Sequence, residues 1–235
     1  MADVGAAVMR GAGAMRLIAR VDGVYSRAER LSDAAVHITG ITIALVAVPV
    51  LIILSMIWVS ERHVVIAAGV YGLTLVALMI ASACYHMIRT EERRERLRRL
   101  DQSAIYLKIA GAYTPFAVMA GPQAMPFLAG LWAVAIAGIS MKLLSARRLF
   151  GLTVALYLAM GWAALVFGGP VLESMSPETY RLVLLGGMLY TIGVAFLVFD
   201  RLPFHTTIWH VFVLTASLMI YAAVLMEVSH RAVLV

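Results

Sequence analysis

Apolar residues fill seven long stretches of the chain, at about 34–59, 64–88, 102–121, 124–144, 149–169, 180–199 and 206–226. Within each stretch they run on without the alternation of a half-buried strand. Each stretch is long enough to cross a hydrocarbon layer about 30 Å thick. Lipid offers no partner to a free backbone N–H or C=O, so such runs must close their hydrogen bonds internally, as helices. The breaks are short and polar: "SERH" from 60, an arginine run over 89–99, "GPQ" at 121, "SARR" at 145, "PVLESMSPE" at 170 and "DRLPFH" at 200. The pattern predicts an all-α membrane protein with a bundle of seven transmembrane helices. It divides the chain into a cytoplasmic N-terminal segment, 1–32, and a seven-span domain, 33–235. In the first segment Arg10, Arg16 and Arg20 alternate with apolar residues, which predicts a short interfacial helix. No continuous apolar core of a signal peptide is present there, so none is expected to be cleaved.

Composition agrees with lipid as the solvent. Hydrophobic residues make up 63% of the chain and charged residues 14%, against about a quarter charged in a soluble domain. The net charge of +6 comes mostly from arginines in the breaks. That placement points to a membrane surface and away from nucleic acid. Fifteen basic residues fall on the side that includes the N-terminus, and three (Arg62, Arg181 and Arg231) on the other, with Lys108 inside the third run. The bias predicts a cytoplasmic N-terminus and an external C-terminus. Cys84 is the single cysteine, so neither an internal disulfide nor a cysteine metal cluster is available.

Ionisable residues inside apolar runs are costly and normally face a cavity or one another. Here several fall at one level, just inside the predicted cytoplasmic face. His86 closes the second run and Ser82 lies one turn deeper on the same face. Asp101 opens the third. His205 and His210 flank the start of the seventh, and Glu29, Asp33 and His37 form an i, i+4, i+8 stripe at the start of the first. Imidazoles with a carboxylate suit a zinc site of three protein ligands and a water. Each residue also has a plainer reading: His86 as a hydrogen-bonded core histidine, Asp101 as a helix N-cap, Ser82 as a packing residue, and the stripe as a solvated helix start.

Five segments, in order through residues 25 to about 221, resemble the hemolysin III family. They are "YSRAERLSDAAVH", "SACYH" followed by the basic run, "LDQSAIYLKIAGAYTPF", "LYLAMGW" and "RLPFHTTIWHVFVL". This family is the bacterial branch of the progestin and adipoQ receptors and is similar to the alkaline ceramidases. The resemblance implies a seven-helix fold in the bacterial inner membrane with zinc near the cytoplasmic side. The family's Ser-x-x-x-His falls on Ser82 and His86, and its aspartate on Asp101. Its His-x-x-x-His is matched only at His210, because Thr206 stands at the first position and His205 one residue before it. Residues five apart on a helix point roughly 140° apart, against about 40° for four. Zinc held by His86, His205 and His210 therefore requires His205 to precede the helix or a local bulge; the alternatives are His37 as third ligand, or no metal. Lys108 is a further departure, at a position usually apolar in the family. It lies about two turns deeper than Asp101, where it can pair with Asp101 or meet a lipid headgroup.

The implied activity is zinc-dependent hydrolysis of a lipid amide or ester, with Asp101 and Ser82 as the catalytic pair and membrane lipid as the substrate source. The alternative is a non-catalytic regulator of membrane state or a pore-forming hemolysin. No polar stripe crosses the full thickness of the runs, which weighs against the pore.

Overall fold

The computed structural model describes residues 25–59, 61–88, 90–144, 150–199 and 201–234. The expected interfacial helix falls within residues 1–24, outside the described residues. Those described are all-helical, with no strand among them. In chain order the helices are α1 (Arg27–Trp58), α2 (Arg62–Met87), α3 (Glu91–Ala120), α4 (Met125–Leu144), α5 (Phe150–Gly161), the short α6 (Ala164–Phe167) and α7 (Gly169–Ser174), α8 (Pro177–Val198) and α9 (His205–Leu234). A single 3₁₀ turn, Pro122–Ala124, leads into α4.

Five segments are long and apolar enough to cross a membrane: α1, α2, 122–144, α8 and α9. Large apolar side chains on these helices, such as Val46, Ile57, Leu73 and Ile192, point outward and remain exposed, as a lipid-facing surface requires. Together these features make the protein a multi-pass membrane protein.

Two expected runs take a different form. α3 begins at Glu91, so most of the basic break is helical and Asp101 lies about three turns inside the helix, where it cannot be an N-cap. The extension has a local cause. Glu91 and Glu92 occupy its first turn, which suits the helix dipole. Glu95 accepts from Arg98 at 2.6 Å and from Arg99 at 3.1 Å, one turn on, the spacing at which charges meet on a helix. The 149–169 run breaks after Gly161, and its remainder folds into a turn and the short α6.

The helices pack through small residues, as membrane interfaces do. A Cβ on Gly111 of α3 would collide with Thr74 of α2, and one on Gly72 of α2 with Val48 of α1. The glycines thus bring α1, α2 and α3 close together. The fully buried Tyr71 donates to the Ser217 carbonyl of α9 at 3.5 Å, and Tyr221 of α9 donates to the Ala47 carbonyl of α1 at 2.8 Å. These bonds close α9 against the α1–α3 layer. At one end Arg231 of α9 grips Glu61, in the α1–α2 turn, at 3.0 and 3.1 Å, and donates to the Met119 carbonyl of α3 at 2.9 Å. The polar layer lies at the opposite end.

Candidate metal centre

The first turn of α1 sets the site. Ser26 caps it, accepting from the Glu29 backbone N–H at 3.1 Å, while the Glu29 carboxylate accepts from Ser26 N–H at 2.8 Å. This reciprocal cap satisfies donors that would otherwise be orphaned at the helix start. The other Glu29 oxygen accepts from Phe204 N–H at 3.0 Å, and Thr207 at the start of α9 meets the Ser32 hydroxyl at 3.0 Å. The clamp fixes the start of α9 against the start of α1. One turn further along each helix, Asp33 and His210 face each other.

Asp33 Oδ1 is 2.6 Å from His210 Nδ1. Its Oδ2 is 3.3 Å from His86 Nδ1 and 3.6 Å from His37 Nε2. The three imidazoles lie within 4.3–5.2 Å of one another, centroid to centroid. One ligand atom from each of Asp33, His37, His86 and His210 falls within 4.8 Å of all the others. Asp33, His37 and His210 are buried and His86 is half-buried. This buried group can hold a metal ion.

A test of fit comes from His37. Its Nε2 is buried and, among the described residues, has no hydrogen-bond partner, since 3.6 Å to Asp33 is too long for one. An orphaned buried nitrogen is costly, and a metal ion in the group would satisfy it. The donor set points the same way. Imidazole nitrogen and carboxylate oxygen are ordinary zinc donors, and tetrahedral ligands at 2.0–2.1 Å lie about 3.3 Å apart. The present spacings, from 2.6 Å to at most 4.8 Å, bracket that value.

The structure brings His86 and His210 together and adds His37 and Asp33 to them. His205 is placed elsewhere. Phe204 adopts a left-handed φ of 57° and α9 starts directly at His205, so no loop or bulge separates it from His210. The His205 ring stacks on Tyr25 at 5.9 Å, with Nε2 3.4 Å from the Tyr25 hydroxyl and Nδ1 3.3 Å from the Phe196 carbonyl. Thr206 donates to the same Tyr25 hydroxyl at 3.1 Å. Asp33 is the residue that sequence reasoning left outside the site. Its signal was the Glu29–Asp33–His37 stripe, which reads equally well as a solvated face.

Ser82, one turn before His86 on α2, lines the same cavity as Asp101 of α3, and Asp101 lies within electrostatic reach of Ser82, His86, His37 and Asp33. All of these except Asp33 line a cavity of about 340 Å³, within the usual size range of small-molecule sites. From Asp101 it follows α3 past Lys108 to Phe116, a depth of about 22 Å at 1.5 Å per residue. Its deeper walls are largely apolar, including Met79, Ile109, Val183 and Leu214.

Comparison with known proteins finds relatives over most of the chain. A sequence profile of the family described as "Haemolysin-III related" matches residues 26–221. The chain is 37% identical over 210 residues to Hemolysin-3 of Bacillus cereus, covering 87% of this chain and 94% of that protein. It is 32% identical over 204 residues to a Hemolysin-3 homolog of Bacillus subtilis (strain 168), covering 86% and 95%. It is also similar, at 30% identity over 168 residues, to the human monocyte to macrophage differentiation factor, covering 68% and 69%.

Proposed function

The chain belongs to the haemolysin-III-related family, and we propose that it is a zinc-dependent hydrolase of a lipid amide or ester. The observation that carries this reading is the buried Asp33–His37–His86–His210 group at one end of a deep apolar cavity, with the Ser82–Asp101 pair beside it. Three of these four side chains would hold the ion and leave its fourth position open to water. Zinc supplies Lewis acidity and lowers the pKa of a coordinated water toward neutrality. The chain's own groups do the rest. Asp101 accepts a proton at its carboxylate as the water attacks, and returns it to the leaving amine or alcohol. The Ser82 hydroxyl donates to Asp101 and holds it in place. The apolar walls below keep water from the acyl chain. The cavity lies within the bundle, so substrate enters from the leaflet.

Seven crossings fit this reading. α3, whose charged first turns project beyond the hydrocarbon, and the broken α5–α7 segment add two to the five apolar helices. The basic bias supports a metal group at the cytoplasmic face, with the C-terminus external, and the bacterial inner membrane is the location that goes with this reading. A reporter active only outside the cytoplasm, fused to Val235, should be active; silence there together with activity at the N-terminus reverses the orientation.

The test of chemistry compares zinc-loaded wild type with Asp101→Asn on long-chain amides and esters presented in lipid. Asparagine keeps the shape but cannot take the proton, so turnover should fall by about 10²-fold or more while zinc content is retained. Equal turnover in the two proteins removes Asp101 from the mechanism. The relatives' name favours a second reading, lysis of a membrane. Release of dye from vesicles by zinc-loaded wild type and Asp101→Asn alike, with no turnover of the panel, selects it.

A further inference from the structure

Lys108 is an amine in the middle of an apolar cavity. It is 4% exposed and lines the same cavity as the metal group. Among the described residues no carboxylate lies within ion-pairing distance of it, so it does not pair with Asp101. Its Nζ donates to the Tyr190 hydroxyl of α8 and lies 4.2 Å from the centre of that ring. The Tyr190 oxygen is in turn 2.7 Å from the Ser217 hydroxyl of α9. These groups form a short polar chain across α3, α8 and α9. An ammonium has three N–H donors; one goes to Tyr190. The remaining donors need an acceptor, and nearby cavity walls such as Ile105, Ile109, Val194 and Val213 offer apolar side chains.

Position tells what the acceptor belongs to. Lys108 is seven residues beyond Asp101 on one helix, hence on nearly the same face and about 10 Å deeper. A chain whose reacting carbonyl lies at the metal end therefore passes Lys108 near its middle and continues toward Phe116 and Ile220. A basic, hydrogen-bonding station part-way along an otherwise apolar channel selects for oxygen at that point.

We propose that Lys108, oriented by Tyr190 and Ser217, is a second polar anchor that recognises an acceptor oxygen carried mid-chain on a single-chain lipid. This rests on the hydrolase reading for which end of the lipid faces the metal group. The preference for oxygen at mid-depth rests on Lys108 alone. An unmodified chain leaves the ammonium's free donors unmet, so it binds more weakly than one that supplies the acceptor.

The experiment measures binding, which separates the two readings. Purified full-length protein in lipid nanodiscs is titrated with hexadecanamide and with three hydroxylated versions, carrying the hydroxyl beside the carbonyl, mid-chain, or on the terminal carbon. Affinity is read by displacement of a fluorescent fatty amide. Wild type should bind the mid-chain alcohol about tenfold more tightly than hexadecanamide. Lys108→Met, close in length but without donors, should lose that preference while still binding hexadecanamide. Tyr190→Phe, which keeps the ring and removes the hydroxyl, should reduce the preference and carries the test if Lys108→Met does not fold. His86→Ala should lose zinc yet keep a Lys108-dependent preference for a hydroxylated chain. Equal wild-type affinity for all four amides overturns the anchor, as does a mid-chain preference that survives in Lys108→Met. Full zinc in His86→Ala overturns the metal site and leaves the anchor standing.

Discussion

Replacing Asp33 with Asn tests the metal group most directly, because that carboxylate touches every other member. In wild type it lies 2.6 Å from His210, 3.3 Å from His86 and 3.6 Å from His37. If the group is only a hydrogen-bonded cluster, Asn keeps the shape and loses one charge-assisted bond to His210, about 1.5–3 kcal/mol. If the group binds zinc, Asn removes an anionic ligand as well. A tightly held ion, present at 100 to 1,000 times its dissociation constant, adds about 2.7–4.1 kcal/mol to stability. For a chain of this size that is roughly 5–15 °C in melting temperature. The assay is thermal unfolding in detergent with and without a strong chelator, beside elemental analysis. Wild type should carry about one zinc and lose roughly 5–15 °C on chelation. Asp33→Asn should carry little zinc, melt near the chelated wild type, and not respond to chelator. Two results refute the reasoning: wild type indifferent to chelator, or Asp33→Asn that retains full zinc under the same dialysis.

His37→Ala should lose zinc and His205→Ala should keep it, by elemental analysis, because the His205 ring is held against Tyr25 and the Phe196 carbonyl; loss in His205→Ala restores the His86, His205 and His210 set expected from the family resemblance. Gly111→Val should lower the melting temperature by several degrees or prevent folding, since even a Cβ there collides with Thr74, whereas Gly130→Ala, with open space around it, should not. The Arg231 guanidinium bonded to Glu61 holds its carboxyl below the ordinary 4.5. That contribution is complete above the ordinary value and disappears as pH falls through the depressed one. The melting-temperature gap between wild type and Glu61→Gln should therefore be widest at neutral pH and close as the pH falls below the ordinary carboxyl value through the depressed one; a constant gap rules the linkage out.

Much of this protein is legible in its sequence because lipid imposes a severe rule. A backbone in hydrocarbon must be helical, so the length and continuity of apolar runs near 34–59, 64–88 and 206–226 predict helices without knowledge of any contact. The level of the site was legible for the same reason: ionisable residues in such runs are costly enough to be informative, and His86 and His210 mark the layer. The N-terminal reach of α3 was harder to read. Arginines that look like a topological loop also make Glu–Arg pairs one turn apart, and that local pairing extends the helix through Asp101.

Which side chains meet was decided by tertiary structure. Spacing alone leaves His205 and His37 as rival partners of His86 and His210, because an angular difference on one helix does not say where the neighbouring helices stand. The Ser26–Glu29 cap, with Glu29 bonded to Phe204 N–H, sets the register of α1 against α9. That register places Asp33 and His37 in the group and directs His205 to Tyr25. Likewise Lys108 finds Tyr190, not Asp101, as its partner because Tyr190 of α8 lines the same cavity within reach of its side chain. Periodicity encodes the face a residue occupies on its own helix. The identity of what that face meets depends on contacts between residues far apart in sequence, such as Asp33 with His86 and His210, which no local pattern carries.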